Sequence, residues 1–484
     1  MPSDTDPPGG LHKKTNWWGA FVIGLAGTIL VTGVAPFAVQ SMGAASIPLF
    51  FFVTIAGVVL CLCLAELAAM MPDRTGGMPS YAFETFKDFG PGVARHVGGI
   101  SAWGYGLGWF PVAPINMILA ARYIATLWGI PLGQEFTPIS APINANVIWI
   151  SIAGLLLLFI PCYLGIRLGA GFATLFGIIS MVPLTLLVFL PFFKPAVMHW
   201  SNLSGFPLAD PSVPKFPFYV SWIFIMSWSV LGIEAAACYI GECRNPARDA
   251  KIALTAEGLY GCFIYLALPL MLVVVLGNAK SFDPLTVFLS YTEAIFGAGA
   301  WVKWIIGIPL IVALLLSVLN ALMGCGRSLY QVAHDGLLPR FFQHTNRHGV
   351  PDYAMAFNLF WSIVVVFFGS PFEIYIFSNM GYLLCVSLAL IGYFLYRHRH
   401  PHLERPVRMP GFLRFVALGI GVAFLFVWIY GGYHASDIAV AEGKRWLFFL
   451  GLGISLLYLP FYAYRRFVED RRVGEPTILK HAAE

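Results

Sequence analysis

The chain alternates long apolar runs with short polar connectors along almost all of its length. A membrane-crossing helix needs about 20 mostly apolar residues. Twelve stretches meet that pattern, at roughly 18–40, 47–70, 96–127, 146–162, 170–193, 217–241, 253–276, 302–330, 353–370, 374–396, 413–434 and 445–464. Little chain remains between them, so no separate soluble domain is expected. Two runs are interrupted. Span 1, "WWGAFVIGLAGTILVTGVAPFAVQSMG", is punctuated by Gly24, Gly27 and Gly33, with Pro36 beyond. Span 6 carries Gly232 within "SWSVLGIEA", and the carboxylate Glu234 lies just past it.

Spans 1 and 6 are five apart. Because five is odd, a second copy of a five-span unit enters the bilayer upside down. Interrupted helices at matching places in two such halves point to a transporter binding site. Unwound backbone survives at membrane depth only where it lines a cavity or is buried in protein. At such a break one half-helix offers amides, which attract anions, and the other offers carbonyls, which attract cations. A substrate with both a carboxylate and an ammonium group uses both. The competing reading, that the glycines only permit close helix packing, suits one glycine better than two matched clusters.

Composition supports the membrane assignment: 58% of the 484 residues are hydrophobic and 11% charged. With the N-terminus placed inside, 22 of the 29 lysines and arginines fall on the inner side and six on the outer, with Arg122 inside span 3. This predicts cytoplasmic termini, and it accounts for the net charge of +5 without a nucleic-acid partner. "YRHRHPHLERPVR" reads first as a positive-inside loop, with a metal site at His398, His400 and His402 as the weaker alternative. The eight cysteines fall in spans or at their inner ends and suggest neither a disulfide framework nor a CxxC metal site. A channel would call for a polar stripe or charged ring, and a membrane enzyme for a catalytic set. Neither is found, so no enzyme activity and no cofactor are expected.

Four pieces, in order, resemble the amino acid–polyamine–organocation transporters, which share the inverted-repeat fold of the leucine transporter. They are "LAELAAMMPDRTGGMPSYAFETFKDFGP" after span 2, "GIEAAACYIGECRNPARDAKIAL" after span 6, "GRSLYQVAHDGLLPRFFQHTNRHGVPDYA" after span 8 and "RPVRMPGF" before span 11. The resemblance implies an all-α polytopic protein of twelve transmembrane helices: a 5+5 inverted repeat with broken helices 1 and 6, plus two C-terminal helices. The implied organisation is a disordered cytoplasmic tail (1–16), a core (17–396) of two halves (17–195 and 216–396), a cytoplasmic loop (397–412), helices 11 and 12 (413–464) and a cytoplasmic tail (465–484).

It further implies a plasma-membrane permease that moves amino acids by alternating access. On this pattern the amides of Thr32 and Gly33 hold a substrate carboxylate. The carbonyls of Ile29, Trp228 and Leu231 receive the ammonium, and Gly232 permits the second break. Trp228 matches an aromatic gate and Glu234 the family's helix-6 glutamate. Val31 stands where the family's turn has a glycine, and Ser180 where several proton-coupled relatives have a lysine. Proton coupling then falls to Glu234. Alternatively Ser180, Ser317 and Asn320 offer oxygens to Na⁺, or they make ordinary interhelical hydrogen bonds. Transport is therefore expected to be proton-coupled or exchange, with H⁺ or Na⁺ as the possible coupling ion.

No Asp or Glu stands mid-span on helices 3, 8 or 10 to pair a cationic side chain. Neutral amino acids are thus expected, with Ala113, Ser317 and Ala321 leaving room and Trp109 and Asn116 facing the pocket. Glu234 keeps a polyamine or organic-amine permease open, and a non-transporting amino acid sensor is a further alternative. Pro111 and Pro114 should kink span 3. Glu66 is expected to pair with a loop arginine, Arg122 to snorkel outward, and Glu242, Glu257 and Glu373 to sit at span ends without a special role. No sequence feature sets an oligomeric state.

Overall fold

The computed structural model describes residues 15–72, 77–164, 170–277, 282–299, 301–435 and 443–473. Each of the twelve apolar stretches is helical. The first forms two short helices, α1 (Trp17–Thr28) and α2 (Val31–Met42), the second α3 (Ser46–Met70). A short α4 (Met78–Thr85) precedes α5 (Pro91–Trp109) and α6 (Val112–Trp128), which together form span 3. Their junction falls at Phe110–Pro111, the expected kink, because proline supplies no N–H to continue the ladder. A two-residue antiparallel pair, β1 (Glu135–Phe136) and β2 (Ile143–Asn144), leads into α7 (Ala145–Tyr163) and α8 (Ala170–Phe189).

The second half runs through α9 (Lys215–Val230), a 3₁₀ segment (Leu231–Glu242), α10 (Pro246–Leu276), α11 (Val287–Phe296), α12 (Val302–His334), α13 (Asp352–Val366) and α14 (Pro371–Arg399). Then come α15 (Leu413–Phe426), a π turn (Val427–Gly431), α16 (Gly432–His434), α17 (Trp446–Leu456) and α18 (Tyr458–Tyr464). Helix continues past the expected start of the C-terminal tail, through Val473, with Arg465 buried. The N-terminal tail lies mostly outside the described residues.

Among the described residues nine helical stretches are long and apolar enough to cross a membrane, or ten if one pair bent by 95° near Lys194 is counted as a span. Large apolar side chains cover the outside, with Phe52 68% and Trp301 70% exposed. Only a lipid-like surrounding satisfies such a surface. The protein is thus an all-α polytopic membrane protein, with one short β pair among the described residues.

Inside, α1 packs on the 3₁₀ segment, α3 on α10, α6 on α12 and α7 on α13. Small residues permit the closest approaches: a Cβ on Gly104 of α5 would stand 2.7 Å from the Gly381 carbonyl oxygen of α14. At one end of the bundle Glu66, buried on α3, accepts from Arg397 (3.1 Å), Arg405 (3.0 Å), the Tyr393 hydroxyl (3.1 Å) and the Met409 amide (2.8 Å). The loop arginine expected for Glu66 is there as Arg405, joined by Arg397 from the last turn of α14, and the hydrogen bonds compensate a buried carboxylate. Arg122 pairs with Asp283 and donates to Asn144 Oδ1 at 3.1 Å.

Candidate substrate site

The first break is tight. α1 ends at Thr28 and α2 begins at Val31, and Ile29 and Leu30 both keep right-handed helical dihedrals. The junction is stitched by three-residue turns. Thr32 N–H donates to Ile29 O (3.0 Å), Gly33 N–H to Leu30 O (3.1 Å), and Thr32 Oγ1 also donates to Ile29 O (2.7 Å). The expectation of free amides at Thr32 and Gly33 is therefore corrected. With no glycine at Val31 to open the turn, the chain closes its own hydrogen bonds. Ile29 O, one of the carbonyls assigned to the ammonium, already accepts twice.

The second break is a change of pitch. α9 ends at Val230 and the chain runs on as twelve residues of 3₁₀ helix through Glu242. Such runs rarely exceed three or four residues, and within a helix they often mark a hinge. Gly27 of α1 meets this segment at its start, where a Cβ on Gly27 would overlap the Gly232 carbonyl. Tyr265 of α10 ties the two together. Its hydroxyl lies 3.1 Å from Gly27 O, 2.8 Å from Ser229 O and 2.7 Å from Ser229 Oγ.

Around α2 three elements converge. A Cβ on Gly33 would overlap the Tyr375 hydroxyl of α14 and stand 3.4 Å from Leu119 of α6. The Trp228 ring lies 4.7 Å from that of Tyr375, and its indole N–H donates to Gly108 O at 2.9 Å. Ile29, Thr32, Gly33, Ala113, Trp228, Leu231, Gly232, Ser317 and Ala321 are all buried, so the region is closed to solvent in this conformation. Ser317 accepts from Asn116 Nδ2 (2.8 Å), linking α12 to α6, and Ala321 O accepts from Asn358 of α13 (3.3 Å). Ser180 and Asn320 are half-buried, on the packed helices α8 and α12.

Glu234 is fully buried in the 3₁₀ segment. Its Oε1 accepts from Tyr105 of α5 and Tyr382 of α14, both at 3.1 Å, and Tyr105 Oη also lies 3.0 Å from Cys238 Sγ. Its Oε2 has no hydrogen-bond partner among the described residues. A second carboxylate joins it. Glu257 is fully buried and lies eleven positions into α10 (257 − 246), so its expected place at a span end is corrected. Its Oε2 accepts the Ala236 amide (2.9 Å), while a Cβ on Gly24 of α1 would overlap Oε1. Glu373 is also buried and pairs with Lys444 at 2.5 Å. Expectation thus missed Tyr105, Tyr265, Tyr375, Tyr382 and Glu257. The only signal for Glu257 was a lone carboxylate in an apolar run, which is by default a functional candidate. Nothing distinguishes these four of the 20 tyrosines in the sequence.

The amino acid permease family model matches residues 16–454, which includes both breaks and the Glu234 cluster. The chain belongs to the amino acid permease family, within the amino acid–polyamine–organocation superfamily. It is similar to a glutamate/gamma-aminobutyrate antiporter of Lactococcus lactis subsp. lactis, 24% identical over 55% of this chain and 56% of that protein. It is also similar to the vacuolar cationic amino acid transporter 4 of Arabidopsis thaliana, 26% identical over 70% of this chain and 55% of that protein. A third relative is solute carrier family 7 member 13 of Mus musculus, at 22% over 45% of each chain. The chain spans about half the length of the curated relatives it matches.

Proposed function

We propose that this permease is a secondary active transporter that carries amino acids across the plasma membrane by alternating access. In this reading it has twelve spans, two inverted five-helix halves and cytoplasmic termini. The observation that carries it is the crossing of two interrupted elements, α1–α2 and α9 with its 3₁₀ segment, at Gly27 and Gly232. The pairwise packing of spans five apart supports the two-half architecture: 1 with 6, 2 with 7, 3 with 8 and 4 with 9. The excess of lysine and arginine on one side supports the orientation.

The substrate's ammonium meets the carbonyls of Ile29, Trp228 and Leu231, with Ile29 O reached only when Thr32 releases it. Its carboxylate faces Thr32 and Gly33, whose amides are reached only if the junction opens. Its side chain extends toward Ala113, Ser317 and Ala321. Tyr105, Glu234 and Tyr382 join α5, the 3₁₀ segment and α14, and so form a closure that must part for release. Neutral amino acids are the first reading, because the polar side chains that α6 and α12 bring together there, Asn116 and Ser317, carry no charge. Glu234 Oε2, without a hydrogen-bond partner among the described residues, favours a second reading, a cationic amino acid or amine. Glu234 is the proposed proton site. Ser180, Ser317 and Asn320 are the sodium alternative, and exchange without an ion a third mode. Counterflow uptake into proteoliposomes over a panel of amino acids and amines, with and without Na⁺ and a pH gradient, separates these readings.

A further inference from the structure

Tyr375 was absent from the sequence expectations, yet its surroundings are specific. The ring is fully buried on α14, with Trp228 at 4.7 Å and Phe372 at 6.2 Å. Trp228 is itself tethered through its indole N–H to Gly108 O. The Tyr375 ring is therefore held in place, and its hydroxyl ends against the α carbon of Gly33, where any side chain would collide with it. That hydroxyl is buried and has no hydrogen-bond partner among the described residues. Burying an unpaired hydroxyl is costly, and such groups are rare unless something else supplies the partner.

The hydroxyl faces the α1–α2 junction, where the donors are scarce because the Thr32 and Gly33 amides are committed to Ile29 and Leu30. Leu119, on the other side of Gly33, offers no polar atom. A phenol O–H is a good donor to a carboxylate oxygen, and a hydrogen bond to an ionised acceptor is stronger than a neutral one. We infer that the Tyr375 hydroxyl is a direct ligand of the substrate's α-carboxylate, donating to it across the bare backbone of Gly33. The inference rests on the reading of this junction as the substrate site. It gives Gly33 a reason to lack a side chain and makes α14 a determinant of which substrates are accepted.

The test uses purified full-length protein in detergent. L-leucine and L-leucinamide compete for binding of the best radiolabelled substrate found among the twenty standard amino acids. Tyr375→Phe removes one oxygen that has no hydrogen-bond partner among the described residues, so its melting midpoint should match the parent. The free acid should lose about tenfold in affinity, as expected for one charge-assisted hydrogen bond, and the amide less than twofold. Gly33→Ala, which displaces the hydroxyl, should give the same selective loss. Equal losses for acid and amide, or no loss for either, would overturn the inference. If Gly33→Leu abolishes binding while Tyr375→Phe does nothing, the site stands and Tyr375 is not its ligand. If no amino acid binds the parent, both the site and the inference fail.

Discussion

Gly27 and Gly232 meet backbone to backbone, one at the end of α1 and the other at the start of the 3₁₀ segment, with no room for a Cβ on Gly27. Tyr265 bonds to both sides of this contact through Gly27 O and Ser229. The two interrupted elements of the permease thus move as a crossed pair or part at this point. Gly27→Ala forces backbone from backbone, and overpacking of that kind costs about 1–3 kcal/mol. The expected outcome is a lowered melting midpoint and transport reduced at least about tenfold. Fluorescence-detected melting and proteoliposome uptake check the two separately.

Tyr265→Phe removes the hydroxyl but keeps the ring. Leaving Ser229 without that partner should cost about 1–3 kcal/mol. Transport should fall while substrate affinity in a competition assay changes less than twofold, because Tyr265 acts through the two backbones.

Gly33→Leu drives a side chain into the Tyr375 hydroxyl and against Leu119, so both must shift to admit it. The protein should remain folded and monodisperse in detergent and lose measurable substrate binding. Normal transport by a well-folded, membrane-inserted Gly33→Leu protein would show that the α1–α2 junction is not the site.

Glu66→Ala leaves Arg397 and Arg405 buried without their carboxylate. Removing one member of a buried ion cluster costs about 3–5 kcal/mol. The variant should aggregate on size-exclusion chromatography or melt far below the parent. Glu66→Gln keeps one accepting oxygen but turns its NH2 toward groups that only donate, so it should fall between.

Glu234 tests the coupling. A carboxylate buried within a span is by default a functional candidate, and proton relays are one use of such groups. Uptake by the parent should rise as external pH falls, and Glu234→Gln should flatten that dependence. The profile is measured without sodium at fixed membrane potential. An unchanged profile in the Gln variant would remove Glu234 as the proton site and leave sodium coupling or exchange.

The helices were legible because apolar run length is a direct physical requirement of the bilayer, and twelve runs did become helical. Glycine marked the place of both breaks but not their form. At Ile29–Leu30 the chain satisfies its own amides, and past Val230 it tightens into 3₁₀ helix. Which amides stay free depends on neighbouring packing that no single stretch encodes. Glu66 was readable because arginines crowd the loop that closes on it. Glu257 was not, because the apolar run starts near residue 253 and sets Glu257 close to its end, whereas α10 starts at Pro246. The tyrosines were hidden by number, since a buried phenol looks like any other aromatic until a partner such as Glu234 or Gly33 faces it from a distant helix.

The central claim is that amino acids are carried through the crossing of the two interrupted elements. Counterflow measures this most directly: proteoliposomes are loaded with each unlabelled amino acid in turn, and entry of the same labelled amino acid is followed in the parent and in Gly33→Leu. The expected result is saturable, transient accumulation of at least one amino acid by the parent and none by the variant. Absence of accumulation for every amino acid, flux that rises linearly without saturation, or equal accumulation by Gly33→Leu would contradict the account.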